Sequence, residues 1–512
     1  MVERWGRWVD LHGWIALGVL ISFYLAIVVA QAALKLVWAD ELITFYISQQ
    51  PGFGGIWRAL QAGADPNPPL MHLLVKASTA LVGGNALGMR LPAIVCVLLA
   101  IGAMWWMLGR WVQPVFALVG MLAFMATRGF DYAYDARSYA PMMGFAMASL
   151  ALWMLASDLA GWRRFEALAG MSVALAAGVS SNYYCVLTFF PIAVGEVVGR
   201  KWRPGVWLAM VVASLPMIAY LPLIRHNIAE FGPHAWNRPH WSMLAMSYLE
   251  LVEGIFWPVL ALGICAIWKR RQQPNIEDAE VTQRRAEMAA VGVLLVYPFL
   301  GFAIAVGGAG MISPRCVAPV CCGFGLAAGL LGQRMFAASR RAGMALVLAL
   351  LVWVGVREWV CANILMEQRQ AFHALRTAVE SVPSERVLVS DSAFVLPFYF
   401  YTNGETQDVV TFPVDFGAIH QFEADDSGEH NLWAGRDGVY PFRITGIDVA
   451  LRNTSRVVVV GRPEGWLARA MRQRGFNLTV IGDETDWGRA GGVFTPMAHS
   501  ETRIMMATRP KR

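Results

Sequence analysis

Two pairs of carboxylates lie where apolar stretches of the sequence end. Asp40 and Glu41 follow the first long apolar run, and Asp131 and Asp135 follow the third. A carboxylate held at the edge of an apolar medium is partly desolvated, which raises its basicity and suits it to take a proton from a hydroxyl group. A solvated anchor at a helix end is the simpler interpretation of any single acid, so the pairing is what indicates chemistry.

Two arginines, Arg137 and Arg315, lie at the same kind of boundary. A guanidinium group binds a phosphate through two parallel charge-assisted hydrogen bonds, and the phosphate of a lipid-linked group sits at this depth of a bilayer. Snorkelling to the interface is the common alternative for a lone arginine. Both arginines together with the acidic pairs favour a phosphate site.

The composition indicates that a membrane surrounds these residues. The chain has 512 residues, of which 57% are hydrophobic and only 15% are charged. Runs such as that at 345–356 are apolar on every face, which is typical of segments within lipid. The sequence therefore predicts a polytopic α-helical membrane protein with about 11–13 transmembrane helices. Eleven apolar spans are identified, at about 12–34, 88–109, 113–128, 139–157, 165–181, 183–199, 206–224, 244–268, 288–310, 315–333 and 343–364.

The basic residues predict the orientation of the chain. If the spans alternate, the clusters at 162–164, 200–203 and 269–271 share one side, which the positive-inside rule makes cytoplasmic. The N-terminus is then cytoplasmic, and Asp40 and Arg315 are outside. The short apolar segment 69–83 is expected to stay on the outer face, because a further crossing would invert every later cluster; whether it spans remains open.

After about residue 364 the composition becomes that of a soluble α/β domain. We therefore expect a membrane domain at 1–364, whose outer-face loop helices cover about 35–86, and a soluble domain at 365–512 on the outer side. No glycine-rich phosphate loop follows its strands, so no nucleotide chemistry is expected. The apolar pattern predicts strands at 386–391, 408–413, 456–461 and 477–483, and helices at 367–381 and 464–475.

Five segments, taken in order, resemble the family-39-like glycosyltransferases of the GT-C superfold. The resemblance covers about residues 10–325. Within that superfold, the sequence is most similar to the bacterial branch related to polyprenyl-phosphate-dependent mannosyl and aminoarabinosyl transferases. The segments are "WADELITFYIS" at 38–48, "PNPPLMHLLVKASTALVGGNALGMRLPAIV" at 66–95, "YDARSYAPMMGFAMASLALWML" at 134–155, "SNYYCVLTFFPIAVGEVV" at 181–198 and "SPRCVAPVCC" at 313–322.

The resemblance implies transfer of a sugar from a polyprenyl-phosphate donor to an acceptor hydroxyl on the periplasmic face of a bacterial inner membrane. It implies catalytic roles for Asp40, Glu41 and Asp135, with Asp40 as the general base of an inverting displacement. Asn182 stands where relatives commonly have His, and Cys316 where Tyr usually follows the arginine. The substrate-binding residues that it implies are Arg137, Tyr139, Arg315, Asn67, Asn182 and Tyr183.

The acceptor class and the cofactor stay open at this stage. An envelope glycan, a lipid or a protein could accept the sugar, and the small, scattered net charge of +6 argues against nucleic acid. Asp40 or Glu41 could bind Mg²⁺ or Mn²⁺, whereas His226, His234 and His240 have no recognised zinc spacing.

Two other functions compete with glycosyl transfer. A transporter or lipid flippase would also use many spans and intramembrane charges, but transporters usually contain internal repeats, and the sequence shows no convincing one. A catalytically silent scaffold that binds a partner through its outer domain is the third reading.

Overall fold

The structure is a computed structural model that describes residues 2–200, 202–231, 237–270, 279–423, 426–482 and 502–509. Helices dominate up to residue 380. They are α1 (Val2–Leu11), α2 (Gly13–Leu34), α3 (Ala39–Ser48), α4 (Gly52–Gln61), α5 (Leu70–Val82), α6 (Ala86–Gly109), α7 (Pro114–Met125), α8 (Arg128–Asp131), α9 (Tyr139–Asp158), α10 (Gly161–Ser181), α11 (Phe189–Val198), α12 (Pro204–Phe231), α13 (Trp241–Val252), α14 (Phe256–Arg270), α15 (Ala279–Leu295), α16 (Tyr297–Ile304), α17 (Pro319–Met335) and α18 (Arg340–Glu380).

The described residues confirm a polytopic membrane protein. Six helical segments are long and apolar enough to cross a bilayer, or eight if each of two bent helix pairs forms one span. These eight coincide with eight of the eleven predicted spans. The other three correspond to α10, to the segment Tyr183–Val198 and to α17, which do not meet the same test of length and hydropathy. Helix α5 has 13 residues, about 20 Å of helix, which is shorter than a hydrocarbon core of about 30 Å.

A six-stranded mixed sheet lies at the centre of the C-terminal region, as the α/β prediction requires. The strand order is β3-β2-β1-β4-β6-β5, and β6 runs antiparallel to both of its neighbours. All four predicted strands are present, whereas β3 and β6 were not predicted. The elements are β1 (Val387–Val389), α19 (Ser392–Tyr401), α20 (Glu405–Asp408), β2 (Val410–Val414), α21 (Phe416–Phe422), α22 (Ser427–Ala434), β3 (Arg443–Gly446), α23 (Ile447–Ala450), β4 (Arg456–Gly461), α24 (Trp466–Gln473), β5 (Asn477–Gly482) and β6 (Arg503–Thr508).

Helix α18 joins the membrane part to this sheet without interruption. Its 41 residues correspond to about 60 Å of helix, roughly twice the thickness of the hydrocarbon core. Phe372, Leu375 and Val379, near its C-terminal end, are buried in the same hydrophobic core as the strands. The change in composition at residue 364 therefore falls inside one continuous helix, which carries the C-terminal sheet on the end of a membrane span.

Arg90 of α6 fixes the point where α2 ends and α3 begins. It is fully buried, and it donates to the backbone carbonyls of Ala32 at 2.7 Å, Lys35 at 2.9 Å and Leu36 at 3.0 Å. Carbonyls at a helix end lack partners within the helix, so the guanidinium group caps α2. Its Nε and Nη2 atoms also donate hydrogen bonds to the two carboxylate oxygens of Glu41, at 2.7 Å and 2.6 Å. One side chain thus sets the position of the first turn of α3.

Removing the carboxylate of Glu41 should destabilise the protein strongly. In Glu41→Ala the guanidinium of Arg90 would stay buried without its counter-charge, and breaking such a pair costs about 3–5 kcal/mol. Thermal unfolding of the purified protein in detergent measures the loss.

The matched control is Arg58→Ala, which removes an exposed arginine from α4 and should change the unfolding free energy by less than about 0.5 kcal/mol. A Glu41→Ala variant as stable as this control would contradict the tethering role of the pair.

Candidate active site

Asp40 lies in the first turn of α3 and faces two arginines. Its Oδ2 atom is 3.2 Å from Nη1 of Arg315 and 3.8 Å from Nε of Arg137. Asp40 and Arg315 each retain 27% side-chain exposure, so both groups are accessible, whereas the neighbouring Glu41 is fully buried. The guanidinium of Arg315 also lies over the ring of Tyr139, 5.7 Å from its centroid. The structure therefore brings together an acid and two arginines from distant segments of the chain.

Arg137 is held in place by Asp65, a residue that the sequence analysis did not single out. Nη1 of Arg137 donates to Oδ2 of Asp65 at 2.8 Å, to the Thr44 hydroxyl at 2.9 Å and to the backbone carbonyl of Asp40 at 3.0 Å. Nε2 of His72 lies 3.3 Å from the same Asp65 oxygen. Burial alone would raise the pKa of Asp65, but Arg137 and His72 hold that pKa well below its usual range. An ionised Asp65 thus anchors the guanidinium that lies beside Asp40.

Asp135 forms a buried pair of its own at the edge of this site. Its Oδ1 atom accepts a hydrogen bond from the indole Nε1 of Trp38 at 3.0 Å and lies 3.7 Å from Nζ of Lys35. Burial raises the pKa of Asp135, and the charge of Lys35 offsets part of that effect. The Trp38 ring in turn lies 5.9 Å from the guanidinium carbon of Arg315. Asp135 therefore orients a ring that Arg315 contacts.

The predicted polar contacts Asn67 and Asn182 belong to one hydrogen-bonded chain. Nδ2 of Asn182 donates to the hydroxyl of Ser138 at 3.1 Å, and that hydroxyl donates to Oδ1 of Asn67 at 3.1 Å. Asn67 continues the chain to Asp65, with Nδ2 2.6 Å from Oδ1. The buried hydroxyl oxygen of Tyr183 makes no hydrogen bond within the part of the chain that the structure describes. The Tyr183 hydroxyl therefore keeps its hydrogen-bonding capacity for a ligand.

The C-terminal part of the chain contributes Tyr440, which packs beside α3. Its ring packs against Tyr46 of α3, with centroids 6.1 Å apart. Burial raises the pKa of the Tyr440 hydroxyl. The negative charges of Asp65 and Asp40 raise this pKa further, and the positive charge of Arg137 lowers it. Among the described residues this hydroxyl has no hydrogen-bond partner. Because an unsatisfied buried hydroxyl is unfavourable, it is suited to a ligand that enters the site.

Opposite charges balance in this network. Ion pairs within 4.0 Å connect four carboxylates with four cations, so the formal charges of the network sum to zero when every carboxylate is ionised. The carboxylates are those of Asp40, Glu41, Asp65 and Asp135, and the cations are Lys35, Arg90, Arg137 and Arg315.

The acids at the start of α3 do not fit a divalent cation as they are arranged. Both oxygens of Glu41 accept hydrogen bonds from Arg90, and Oε1 also accepts one from the backbone N–H of Ala136 at 2.8 Å. Asp40 is paired with Arg315. Mg²⁺ needs several oxygen ligands, and a neighbouring guanidinium repels it. Of His226, His234 and His240, His226 lies in α12 and His234 lies outside the described residues.

Sequence reasoning missed several residues of this network. An arginine inside an apolar span is costly and is by default a functional candidate, so Arg90 carried a signal that could have been used. Asp65 directly precedes the segment "PNPP" at 66–69, and Lys35 directly follows the first span. His72 and Tyr440 carry no such signal, because only the folded chain brings them to the site.

Comparison with known proteins places this geometry in context. Residues 66–226 match the model of the family described as dolichyl-phosphate-mannose-protein mannosyltransferase. None of the curated proteins searched matches the chain.

The solved structures extend the similarity to nearly the whole chain. ArnT from Cupriavidus metallidurans bound to undecaprenyl phosphate superposes with a TM-score of 0.60 at 14% identity, covering 98% of this chain and 100% of ArnT. The apo state of ArnT gives the same TM-score and coverage at 15% identity. An Archaeoglobus fulgidus oligosaccharyltransferase in complex with Zn and sulfate covers 85% of this chain and 67% of its own, with a TM-score of 0.47 at 9% identity.

The resemblance found in the sequence is therefore confirmed: residues 66–226 are similar to the dolichyl-phosphate-mannose-protein mannosyltransferase family, and the chain is a membrane protein with the fold of ArnT.

Proposed function

We propose that the protein is a membrane glycosyltransferase that moves a sugar from a polyprenyl-phosphate donor to an acceptor hydroxyl. The observation that carries the proposal is the convergence of Asp40 and Arg315, 275 positions apart in the chain, to 3.2 Å at a partly exposed site. A proton acceptor beside a phosphate-binding cation is what transfer from a lipid phosphate requires. The family model and the fold of ArnT, solved with undecaprenyl phosphate, support the same donor class.

The reaction that fits this geometry is a single displacement at the anomeric carbon. Asp40 takes the proton of the acceptor hydroxyl while the acceptor oxygen forms its bond to that carbon. The bond between the carbon and the phosphate oxygen breaks on the opposite face, and its electron pair leaves with the polyprenyl phosphate. Arg315 stabilises the departing negative charge, and the configuration of the sugar carbon inverts.

Donor binding is coupled to activation of Asp40 in this scheme. In the unliganded site Asp40 is paired with Arg315. A phosphate offers the guanidinium group two parallel charge-assisted hydrogen bonds, so it competes with the single contact to Asp40. The carboxylate that is released is then available to accept a proton. Arg137, already engaged by Asp65 and Thr44, positions Asp40 and adds positive charge behind the phosphate.

The other two acids have supporting roles in this proposal. Glu41 holds α3 through Arg90, and Asp135 orients Trp38 beneath Arg315. Asn67, Asn182, Tyr139 and Tyr183 are the proposed substrate contacts around Asp40.

We assign the membrane domain to residues 1–364 and a periplasmic α/β domain to residues 365–512, with the N-terminus cytoplasmic in a bacterial inner membrane. The positive-inside distribution of basic residues supports this orientation. Protease protection in spheroplasts tests it.

An assay in proteoliposomes separates transfer from transport. The purified protein, supplied with polyprenyl-phosphate sugars and periplasmic envelope glycans, lipids or proteins, should release polyprenyl phosphate only when an acceptor is present. A transporter or flippase would move the lipid-linked sugar across the membrane without releasing polyprenyl phosphate. Mass spectrometry of envelope glycans from a deletion strain then identifies the sugar and the acceptor.

Asp40→Asn should lower turnover by about 10²–10⁴-fold, because positioned proton transfer is worth about that much. The apparent KM for the donor should not rise, since a neutral amide competes with the phosphate for Arg315 less strongly than a carboxylate does. The control is Asp158→Asn, an acid on the predicted cytoplasmic side. If Asp40→Asn keeps more than about half of the wild-type turnover, the general-base role is excluded.

Arg315→Ala should lower kcat by about 10²–10³-fold, because a preorganised cation at the leaving group contributes that much to the transition state. Arg315→Lys should recover part of the loss, since it keeps the charge but not the two-pronged geometry. The same steady-state assay measures both variants, and equal kcat values for Arg315→Ala and wild type would contradict the assignment.

Tyr440→Phe should reduce kcat/KM by about 10- to 100-fold, the worth of a hydrogen bond to a charged ligand. The ring and its contact with Tyr46 are kept, so the melting temperature should not fall. Tyr399→Phe is the matched control, because Tyr399 packs on Phe442 of the same domain and is partly exposed. Unchanged kcat/KM in Tyr440→Phe would remove the C-terminal domain from substrate binding.

A further inference from the structure

A second cluster of ligand-type side chains lies in the C-terminal domain, outside the Asp40 site. It consists of His420 in α21, Asp426 at the N-cap of α22 and His430 within α22. Oδ2 of Asp426 is hydrogen-bonded to Nε2 of His420 and, at 3.1 Å, to Nε2 of His430. One ligand atom from each residue lies within 4.8 Å of the other two. That spacing fits around a single cation, since ligand bonds to Zn²⁺ are about 2.0–2.2 Å long.

The carboxylate of Asp426 is the observation that points to a bound cation. The residue is 1% exposed, yet its buried Oδ1 atom has no hydrogen-bond partner among the described residues. A buried carboxylate oxygen without a donor is unfavourable, and a cation at the cluster would compensate its charge. The side chains of His420 and His430 retain 45% and 26% exposure, so an ion can enter from solvent. The ring of Phe416 stacks on His430 at 4.3 Å between centroids and fixes the orientation of that imidazole.

We propose that His420, Asp426 and His430 bind a divalent first-row transition metal, with Zn²⁺ as the best match. Two imidazoles and one carboxylate are a donor set that Zn²⁺ accepts, with a fourth position left for solvent, whereas Mg²⁺ and Ca²⁺ prefer oxygen ligands alone. On binding, each neutral imidazole presents the lone pair of Nε2 to the metal and carries its proton on Nδ1. The two hydrogen bonds to Asp426 are replaced by three bonds to the ion.

The ion would cross-link two helices that lead toward the Asp40 site. It ties α21 to the start of α22, and α22 is followed at once by Gly435. A Cβ atom at Gly435 would lie 2.3 Å from the ring of Tyr440, so this segment packs directly on that tyrosine. The metal thus stabilises the part of the C-terminal domain that supports Tyr440.

Titration of the full-length, tag-free protein with ZnCl₂ after removal of metal by a chelator tests the proposal. Competition with a chromophoric chelator should show one tight equivalent per chain. His430→Ala and Asp426→Ala should weaken binding by at least about 100-fold, because even second-shell losses cost 10–100-fold. His430→Cys, which restores a zinc ligand at the same place, should recover binding. Co²⁺ bound to the wild type should give the visible absorption of a four-coordinate site.

Two variants separate this site from other places that could bind zinc. His373→Ala removes a histidine of α18 outside the cluster, and Asp40→Asn alters the proposed active site; both should bind Zn²⁺ as the wild type does. The readout requires no glycosyl transfer, so its result is independent of the proposed activity. Absence of a tight equivalent in the wild type, or wild-type affinity in His430→Ala, would overturn the proposal.

Discussion

The buried pair between Arg90 and Glu41 is the interaction on which the arrangement of the site depends. Two charges are taken fully out of water, and desolvation removes most of what their attraction gains, so the pair is better explained by specificity than by net stability. The same guanidinium group donates hydrogen bonds to carbonyls at the end of α2 and to the carboxylate of Glu41 in the first turn of α3. Any other rotation of α3 would leave Arg90 without a counter-charge. The pair therefore fixes the direction of the preceding residue, Asp40, which lies about 100° around the helix from Glu41 and faces Arg315.

The ion pairs of the site differ in how readily an anionic ligand of the proposed kind could displace them. Each carboxylate has a cation nearby, but the pairs differ in solvent exposure. Those of Glu41 with Arg90 and of Asp65 with Arg137 have partners that are at most 7% exposed, whereas Asp40 and Arg315 are both 27% exposed. Exposed pairs contribute little and exchange readily, while buried ones are costly to break. In the proposed function, an incoming phosphate would therefore displace Asp40 from Arg315 and leave the two buried pairs intact.

Three charged residues of this site could be predicted from the sequence, but not which carboxylate pairs with which cation. Asp40, Arg137 and Arg315 could be identified because charges at the border of apolar runs are costly and therefore informative. Their partners could not, because the choice between Asp40 and Asp65 for Arg137 depends on helix rotation and on a loop without periodicity. The same limit applies to the sheet. Strands β1, β2, β4 and β5 are apolar runs in the sequence and were predicted, whereas β3 is half-exposed and lacks that pattern. Helix α18 was not predicted as one helix, because the fall in hydropathy near residue 364 indicates the end of a span.

The continuity of α18 gives the C-terminal domain a role that its composition does not reveal. A rigid helix that begins in the membrane and ends in the core of the sheet leaves little freedom between the two parts. The backbone N–H of Val37, three residues before Asp40, donates to the Tyr401 hydroxyl of α19 at 2.8 Å. Tyr440 of the same region packs on Tyr46, so the C-terminal region contacts the chain both before and after Asp40. Because both contacts fall within ten residues of chain around Asp40, a shift of the C-terminal region would move the backbone on both sides of the proposed base.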